Sequence, residues 1–169
     1  EVSLPQGEDP AREFVQVKHH GRTVAHWRLP HARMAVLAER IVSPELALDV
    51  PGFSPQLFKV ILAASECNRG GRHANSFKRC KGKVAVFVKC HTDLPPGFPK
   101  VALRIGVGGT AEEARTVWRP SPGKTAVVHD FSSKCCAGLE AQEEWNLREI
   151  AGKGAQDIMI RVQLVPAEP

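Results

Sequence analysis

The apolar residues of this chain alternate with polar ones over several short segments, which is typical of β-strands that bury one face. The segment Val84–Cys90 places valines on one face, and Lys100–Val107 and Asp157–Val165 repeat this pattern with Val, Leu and Ile. Phe58–Ala64 is a continuous apolar run that predicts a central strand. The other predicted strands are Arg22–Leu29, Ser43–Val50, Arg115–Trp118 and Thr125–Phe131.

Two segments carry helical rather than alternating spacing. His31–Arg40 is rich in Ala, Met, Leu, Glu and Arg, and Gly138–Ile150 sets apolar residues among glutamates. The 13 Pro and 14 Gly punctuate many short segments, and no strand–helix–strand rhythm is present. The sequence therefore predicts a mainly all-β fold, an antiparallel β-sandwich of seven to eight strands with two short helical segments.

The 169 residues are of a length for one domain. Residues 1–21 are polar and read as an extended N-terminal arm with a short strand at Glu13–Lys18. Residues 22–165 form the predicted domain, and 166–169 a C-terminal tail. No apolar run reaches the ~18 residues that a membrane span needs, so the chain is not expected to span a membrane.

The positive charge is concentrated in Arg69–Lys83, which we call the basic loop. It holds six Lys/Arg and no Asp or Glu, whereas taking these six from the 23 basic residues leaves 17 against 18 acidic ones. Such a loop suits binding to a phosphate backbone, to lipid headgroups or to an acidic protein surface. The alternative is a solvated hairpin loop whose charges only protect strand edges. The candidate partner-binding residues are Arg69, Arg72, Lys78, Arg79, Lys81 and Lys83, with Phe77 as an apolar anchor.

The cysteines and histidines indicate neither a metal site nor a cofactor. No C-x-x-C is present among the five cysteines. Cys67 and Cys80 flank the basic loop and close it as a disulfide in an oxidising compartment, or else are reduced thiols. Cys90 and His91 are neighbours on a strand and point to opposite faces, so they cannot pair. We expect no enzyme, and a Cys–His hydrolase remains the alternative.

Several segments occur in the order found in the meprin and TRAF homology (MATH) domain. These are a strand with a Trp (VAHWRL, Val24–Leu29), a Ser-Pro strand (Ser43–Leu48), V-x-H-D-F (Val127–Phe131), Gly-Leu with acidic residues (Gly138–Trp145) and a terminal strand IMIRVQLV. Over roughly residues 22–165 the chain resembles this family, although the basic loop has no counterpart in the family pattern. The resemblance implies a non-enzymatic module that binds peptides or assembles into oligomers.

The resemblance favours a protein partner with an acidic surface for the basic loop, so the expected function is interaction or assembly as an accessory subunit. The Ala/Arg/Gly/Pro-rich style is also similar to MATH-like domains of photosynthetic algae. That similarity implies, as one alternative, a processed plastid protein in a photosystem supercomplex, a large membrane complex. The other alternative is an RNA- or polyanion-binding domain, for which the sequence offers one RGG and Phe77.

Overall fold

The computed structural model describes residues 14–19, 22–30, 39–50, 52–65, 80–109, 116–120, 127–138, 144–151 and 157–166. These residues form twelve β-strands and one short α-helix. In chain order they are β1 (Phe14–His19), β2 (Arg22–Pro30), β3 (Arg40–Val42), β4 (Leu46–Leu48), β5 (Gln56–Ala64), β6 (Lys83–Cys90), β7 (Val101–Gly109), β8 (Thr116–Arg119), β9 (Val127–His129), β10 (Cys136–Gly138), β11 (Trp145–Asn146), α1 (Leu147–Ala151) and β12 (Asp157–Pro166).

The strands are arranged in two antiparallel sheets. Sheet A has the order β1–β2–β12–β7–β8, and β9 pairs with β7 beside β8. Sheet B has the order β10–β6–β5–β3, with β11 also on β6 and β4 also on β5. Long strands therefore occupy the centre of each sheet, and strands of two to four residues line the β8 edge of sheet A and both edges of sheet B.

The core lies between the two sheets and follows the alternation of the sequence. Along β5 and β6, alternate residues such as Phe58, Leu62 and Val86 are buried, and those between them are partly exposed. Leu103 and Ile105 of β7 face them with no exposed surface. Each such buried side chain stabilises the fold by about 1.5–3 kcal/mol relative to exposure. Because successive residues of a strand point to opposite faces, burying these side chains fixes which ones lie on the outer faces.

The fold class predicted from the sequence is confirmed, since the described part of the chain is mainly β in two antiparallel sheets. The predicted number of strands is too low, because the short strands β3, β10 and β11 form outside the segments predicted as strands. Ser43–Val50 contributes only Leu46–Leu48, and a separate strand, β3, precedes it. At the interruption the Ser43 hydroxyl accepts a hydrogen bond from the Val60 amide (2.8 Å) and donates one to the Pro44 carbonyl (2.8 Å). A buried serine thus replaces part of the ladder.

The predicted helix Gly138–Ile150 is confirmed at its end but is wrong at Gly138 and at residues 144–146, while residues 139–143 lie outside the described part of the chain. Gly138 ends β10, Trp145–Asn146 form β11, and the helix begins only at Leu147. Cross-strand pairing of Trp145 with Val84 of β6 overrides the local helical spacing. The Asn146 side chain then caps the helix, because its Oδ1 accepts a hydrogen bond from the Glu149 amide (3.2 Å).

The other predicted helix, His31–Arg40, lies outside the described residues up to Ala38, and its last residue begins β3. β7 extends two residues beyond the predicted strand Lys100–Val107, since Gly108 and Gly109 are its last two residues. The short strand expected in the N-terminal arm is β1, which pairs with β2 over its whole length. Residues 1–13 and 167–169 are not described.

One side chain ties the edges of the two sheets together. Arg119 ends β8 of sheet A, and its guanidinium carbon lies 4.2 Å from the centroid of the Trp145 ring, which belongs to sheet B. Its Nη1 also donates a hydrogen bond to the Glu144 carbonyl (2.8 Å). Trp145 is fully buried. Arg119 therefore covers one side of a core tryptophan at the point where the sandwich would otherwise be open.

Candidate functional site

Only the end of the basic loop lies within the described residues. Cys80, Lys81 and Lys83 are placed, and both lysines are exposed. The remaining predicted contact residues lie outside the described part of the chain: Arg69, Arg72, Phe77, Lys78 and Arg79. Cys67 lies there too, so its disulfide with Cys80 stays a prediction.

The base of the basic loop is a tight turn held against α1. Lys81 and Gly82 both have positive φ, 52° and 86°, and Gly82 carries no side chain to resist this conformation. A Cβ at Gly82 would lie 2.8 Å from Cγ of Arg148, and the Gly82 carbonyl accepts a hydrogen bond from the Leu147 amide (2.8 Å). This anchoring brings the exposed Arg148 next to the two lysines.

Cys80 is buried beneath this turn. Burial raises the pKa of its thiol, although backbone hydrogen bonds with Gly82 and Lys83 and the charge of Arg148 act in the opposite direction. A thiol with a raised pKa is less often the reactive thiolate at neutral pH. The geometry around Cys80 therefore suits a structural residue.

The basic loop leads onto the outer face of sheet B. Lys83 is the first residue of β6, and its side chain is on the same side of the strand as Ala85, Phe87 and Lys89. The three residues between them, Val84, Val86 and Val88, face the core. The outer face thus begins with a cation of the basic loop and ends with another lysine.

An apolar row crosses the outer face of sheet B. Val42 of β3 lies opposite Ile61 of β5, Ile61 lies opposite Phe87 of β6, and Phe87 lies opposite Gly138 of β10. Val42 is 44% exposed, whereas Ile61 and Phe87 are partly exposed. A Cβ at Gly138 would lie 2.7 Å from Cδ1 of Phe87, so the ring leans over the glycine. The row spans four strands, or roughly 14 Å at the usual strand spacing.

Cations flank the apolar row on both sides. Lys59 of β5 and Lys89 of β6 lie directly opposite each other, two residues from Ile61 and Phe87. Arg40 of β3 is two residues from Val42 on the other side of the row and is exposed. Among the described residues the one ion pair is Arg28–Asp157 in sheet A, so none of these cations is in an ion pair there. We call this surface the cationic face; it comprises Arg40, Val42, Lys59, Ile61, Lys83, Phe87, Lys89 and Gly138.

Cys136 of β10 lies opposite Lys89 of β6, at the end of the row formed by Lys59 and Lys89. Desolvation by burial and the neighbouring Cys135 raise the pKa of its thiol, while Lys89 and Lys134 act in the opposite direction. This thiol is therefore poorly suited to act as a nucleophile at neutral pH.

The described residues offer no support for the alternative of a Cys–His hydrolase. Cys90 is buried and its sulfur lies 3.4 Å from the Thr92 carbonyl, whereas His91 is exposed. The Nε2 of His129 lies 2.7 Å from the Lys134 carbonyl, to which it donates a hydrogen bond. Asp130 accepts hydrogen bonds from the hydroxyl and amide of Ser132, which lower the pKa of its carboxyl. His129 and Asp130 therefore form hydrogen bonds that stabilise the turn after β9.

Within the described ranges, no group of three or more His, Cys, Asp or Glu side chains is placed to hold a metal ion. None of the described helices has the length and apolar character needed to cross a membrane. The chain matches no protein-family description, and no curated protein is similar enough to establish a relationship. The interpretation of the site therefore depends on the surface itself.

Sequence patterns found only part of this surface. The alternation predicts that Lys89 and Phe87 share the outer side of β6, but it does not say which residues of another strand lie beside them. The register of β5 against β6 sets Lys59 opposite Lys89. A lysine within each of two predicted neighbouring strands is the signal that could have drawn attention to the pair.

Proposed function

We propose that this protein is a non-enzymatic interaction module that binds an acidic, partly apolar segment of a partner protein on the cationic face. The observation that carries the proposal is the direct pairing of Lys59 with Lys89 beside the apolar pair Ile61–Phe87. The antiparallel sandwich and the resemblance to MATH domains support the same class of function. The basic loop adjoins this face through Lys83 and would extend its positive charge.

Opposed lysines are a cost to the isolated domain. Like charges directly across a strand pair destabilise a sheet, by amounts comparable to the ~0.2–1 kcal/mol that opposite charges contribute. An acidic residue of a partner placed between Lys59 and Lys89 would reverse that effect. The adjacent Ile61 and Phe87 offer apolar surface that a purely electrostatic site does not need, and this favours a protein segment over a nucleic-acid backbone.

The spacing of the rows specifies the partner's chemistry. Residues i and i+2 of a strand lie on the same face and are about 6.6 Å apart, because each step along the strand adds about 3.3 Å. An extended segment that runs along the strands would need an Asp or Glu two positions from a Leu, Ile, Val or Phe. Such a segment could place its carboxylate at the lysine pair and its apolar side chain on the row through Phe87.

A displayed library of random extended peptides tests this specificity. Wild-type protein should enrich peptides with an acidic residue two positions from an apolar one. The variant Lys59→Glu/Lys89→Glu should lose that motif while remaining folded. Lys100→Glu serves as the matched charge control, because Lys100 is an exposed lysine immediately before β7. Enrichment of the same motif by the Lys59→Glu/Lys89→Glu variant would contradict the proposed site.

Two further measurements test the contribution of the basic loop and the alternative of polyanion binding. The variant Arg72→Glu/Lys78→Glu/Arg79→Glu should abolish co-purification of an acidic partner and slow association with a selected peptide, since peripheral charges act mainly on the association rate. Unchanged co-purification would remove the loop from the proposal. Retention of labelled polyuridine at physiological salt, with an affinity matching the best peptide, would favour the polyanion-binding alternative instead.

A further inference from the structure

A second group of charged and aromatic side chains lies on the outer face of sheet A, away from the cationic face. Arg161 of β12 lies opposite Gly106 of β7, and Gly106 lies opposite Trp118 of β8. Arg104 is two residues from Gly106 on the same face of β7. Arg104, Trp118 and Arg161 therefore surround the glycine on three neighbouring strands, and we call them the guanidinium cluster.

Two members of the guanidinium cluster hold each other in place. The guanidinium carbon of Arg104 lies 5.1 Å from the centroid of the Trp118 ring, within cation–π range. A Cβ at Gly106 would lie 2.9 Å from Cδ2 of Trp118, so the indole rests against bare backbone. The absence of a side chain at Gly106 thus allows Trp118 to lie flat over the sheet and to support Arg104.

Arg161 is the member whose charge is not compensated. Its Nη1 is buried and has no hydrogen-bond partner. Burial lowers the pKa of its guanidinium, and no opposing influence accompanies that shift. Within the described ranges the one ion pair, Arg28–Asp157 (2.7 Å), involves neither Arg161 nor Arg104. Arg161 as a whole is partly exposed, so the unsatisfied group is this one N–H donor; buried donors in proteins are normally hydrogen-bonded.

We propose that the guanidinium cluster binds an oxyanion, the carboxylate or phosphate group of a small ligand. Arg161 supplies the buried N–H donor, and its planar guanidinium matches the two oxygens of either group. Arg104 and Arg161 are diagonal neighbours on adjacent strands, a separation that long side chains can span.

The proposal is tested by titrating the purified protein with inorganic phosphate and with acetate, while the ionic strength is kept constant with sodium chloride. We expect saturable shifts of the Trp118 indole N–H and of the Arg161 side-chain N–H signals in NMR spectra. A response to phosphate alone assigns the site to phosphate groups, and a response to both assigns it to oxyanions in general. No saturable response to either overturns the proposal.

Variants on the same face make the assignment specific. Arg161→Lys keeps the charge but loses the bidentate fork, so we expect phosphate to bind roughly tenfold or more weakly. Arg104→Gln should also weaken binding. Arg28→Gln is the matched control, because Arg28 lies on the same face and already pairs with Asp157. Equal losses in Arg28→Gln and Arg161→Lys would contradict a built site.

Stability without ligand separates a binding role from a structural one. If Arg161 serves the oxyanion, Arg161→Met should leave the thermal midpoint of the ligand-free protein unchanged or raise it, since an apolar chain replaces a buried unpaired donor. Phosphate should then no longer raise that midpoint. A lower midpoint in Arg161→Met, together with an unchanged response to phosphate, would overturn the proposal.

Discussion

Replacing Lys89 with Glu should stabilise the isolated protein while it removes acidic-peptide binding. The substitution turns the Lys59–Lys89 repulsion into an attraction across the β5–β6 pair. Since opposite charges at such positions contribute about 0.2–1 kcal/mol and like charges cost a similar amount, the combined change is about 0.4–2 kcal/mol. About 1 kcal/mol corresponds to a rise of roughly 2–4 °C in the thermal midpoint for a domain of this size.

Urea unfolding of four proteins, wild type, Lys59→Glu, Lys89→Glu and the double variant, measures the coupling directly. Each single variant should gain free energy of unfolding, whereas the double variant restores two like charges and should lose the gain. The gains should shrink between ~0.01 M and ~1 M salt, as the Debye length falls from about 30 Å to about 3 Å. If the double variant equals the sum of the two single variants, the lysines do not interact and the reasoning is refuted.

Three other predictions follow from described contacts. Gly106→Ala places a methyl group 2.8 Å from Thr116 Cγ2, so we expect a loss of about 1–3 kcal/mol in the free energy of unfolding by urea. Arg119→Ala should cost about 1–3 kcal/mol through loss of the Trp145 contact and of the hydrogen bond to the Glu144 carbonyl, and Arg119→Lys should recover part of it. The hydrogen bond from Ser132 lowers the pKa of Asp130, so the Ser132–Asp130 interaction stabilises the protein above the unfolded pKa of about 3.9. This stabilisation is lost as the pH falls through the folded pKa of Asp130. Thermal midpoints of wild type and Asp130→Asn should therefore differ at pH 7 and converge in acid; a constant difference would contradict the assignment.

The long strands were predictable because their inward faces repeat with a period of two. β6 and β12 were placed within one residue of their true bounds on this signal alone. Among the short strands, β4, β8 and β9 lie in or within one residue of predicted strands. The strands β3, β10 and β11 were not predicted, since two or three residues carry too little pattern to identify a strand. Their positions depend on the neighbouring long strand, which supplies the hydrogen-bonding partners.

The predicted helix Gly138–Ile150 was wrong at Trp145–Asn146 for a related reason. Leu, Trp and Glu at helical spacing favour a helix locally, but Trp145 gains more from complete burial against β6 than from continuing a helical turn. For the candidate site, the sequence located the basic loop and the outward position of Lys89. It could not supply the pairing of Lys59 with Lys89, or that of Arg161 with Gly106, because register is a property of two strands.

The interrupted edges of sheet B have a consequence for the behaviour of the protein at high concentration. β3 and β4 share one edge of β5, and β10 and β11 share the far edge of β6, so among the described residues no edge strand of this sheet exceeds three residues. A second chain seeking to extend the sheet would meet a broken row of amides and carbonyls, interrupted at Ser43 and Pro44. Such edges resist uncontrolled strand-to-strand polymerisation. Sheet B therefore offers little edge for a neighbouring copy to extend, and the longer edge of the described fold is β1 of sheet A.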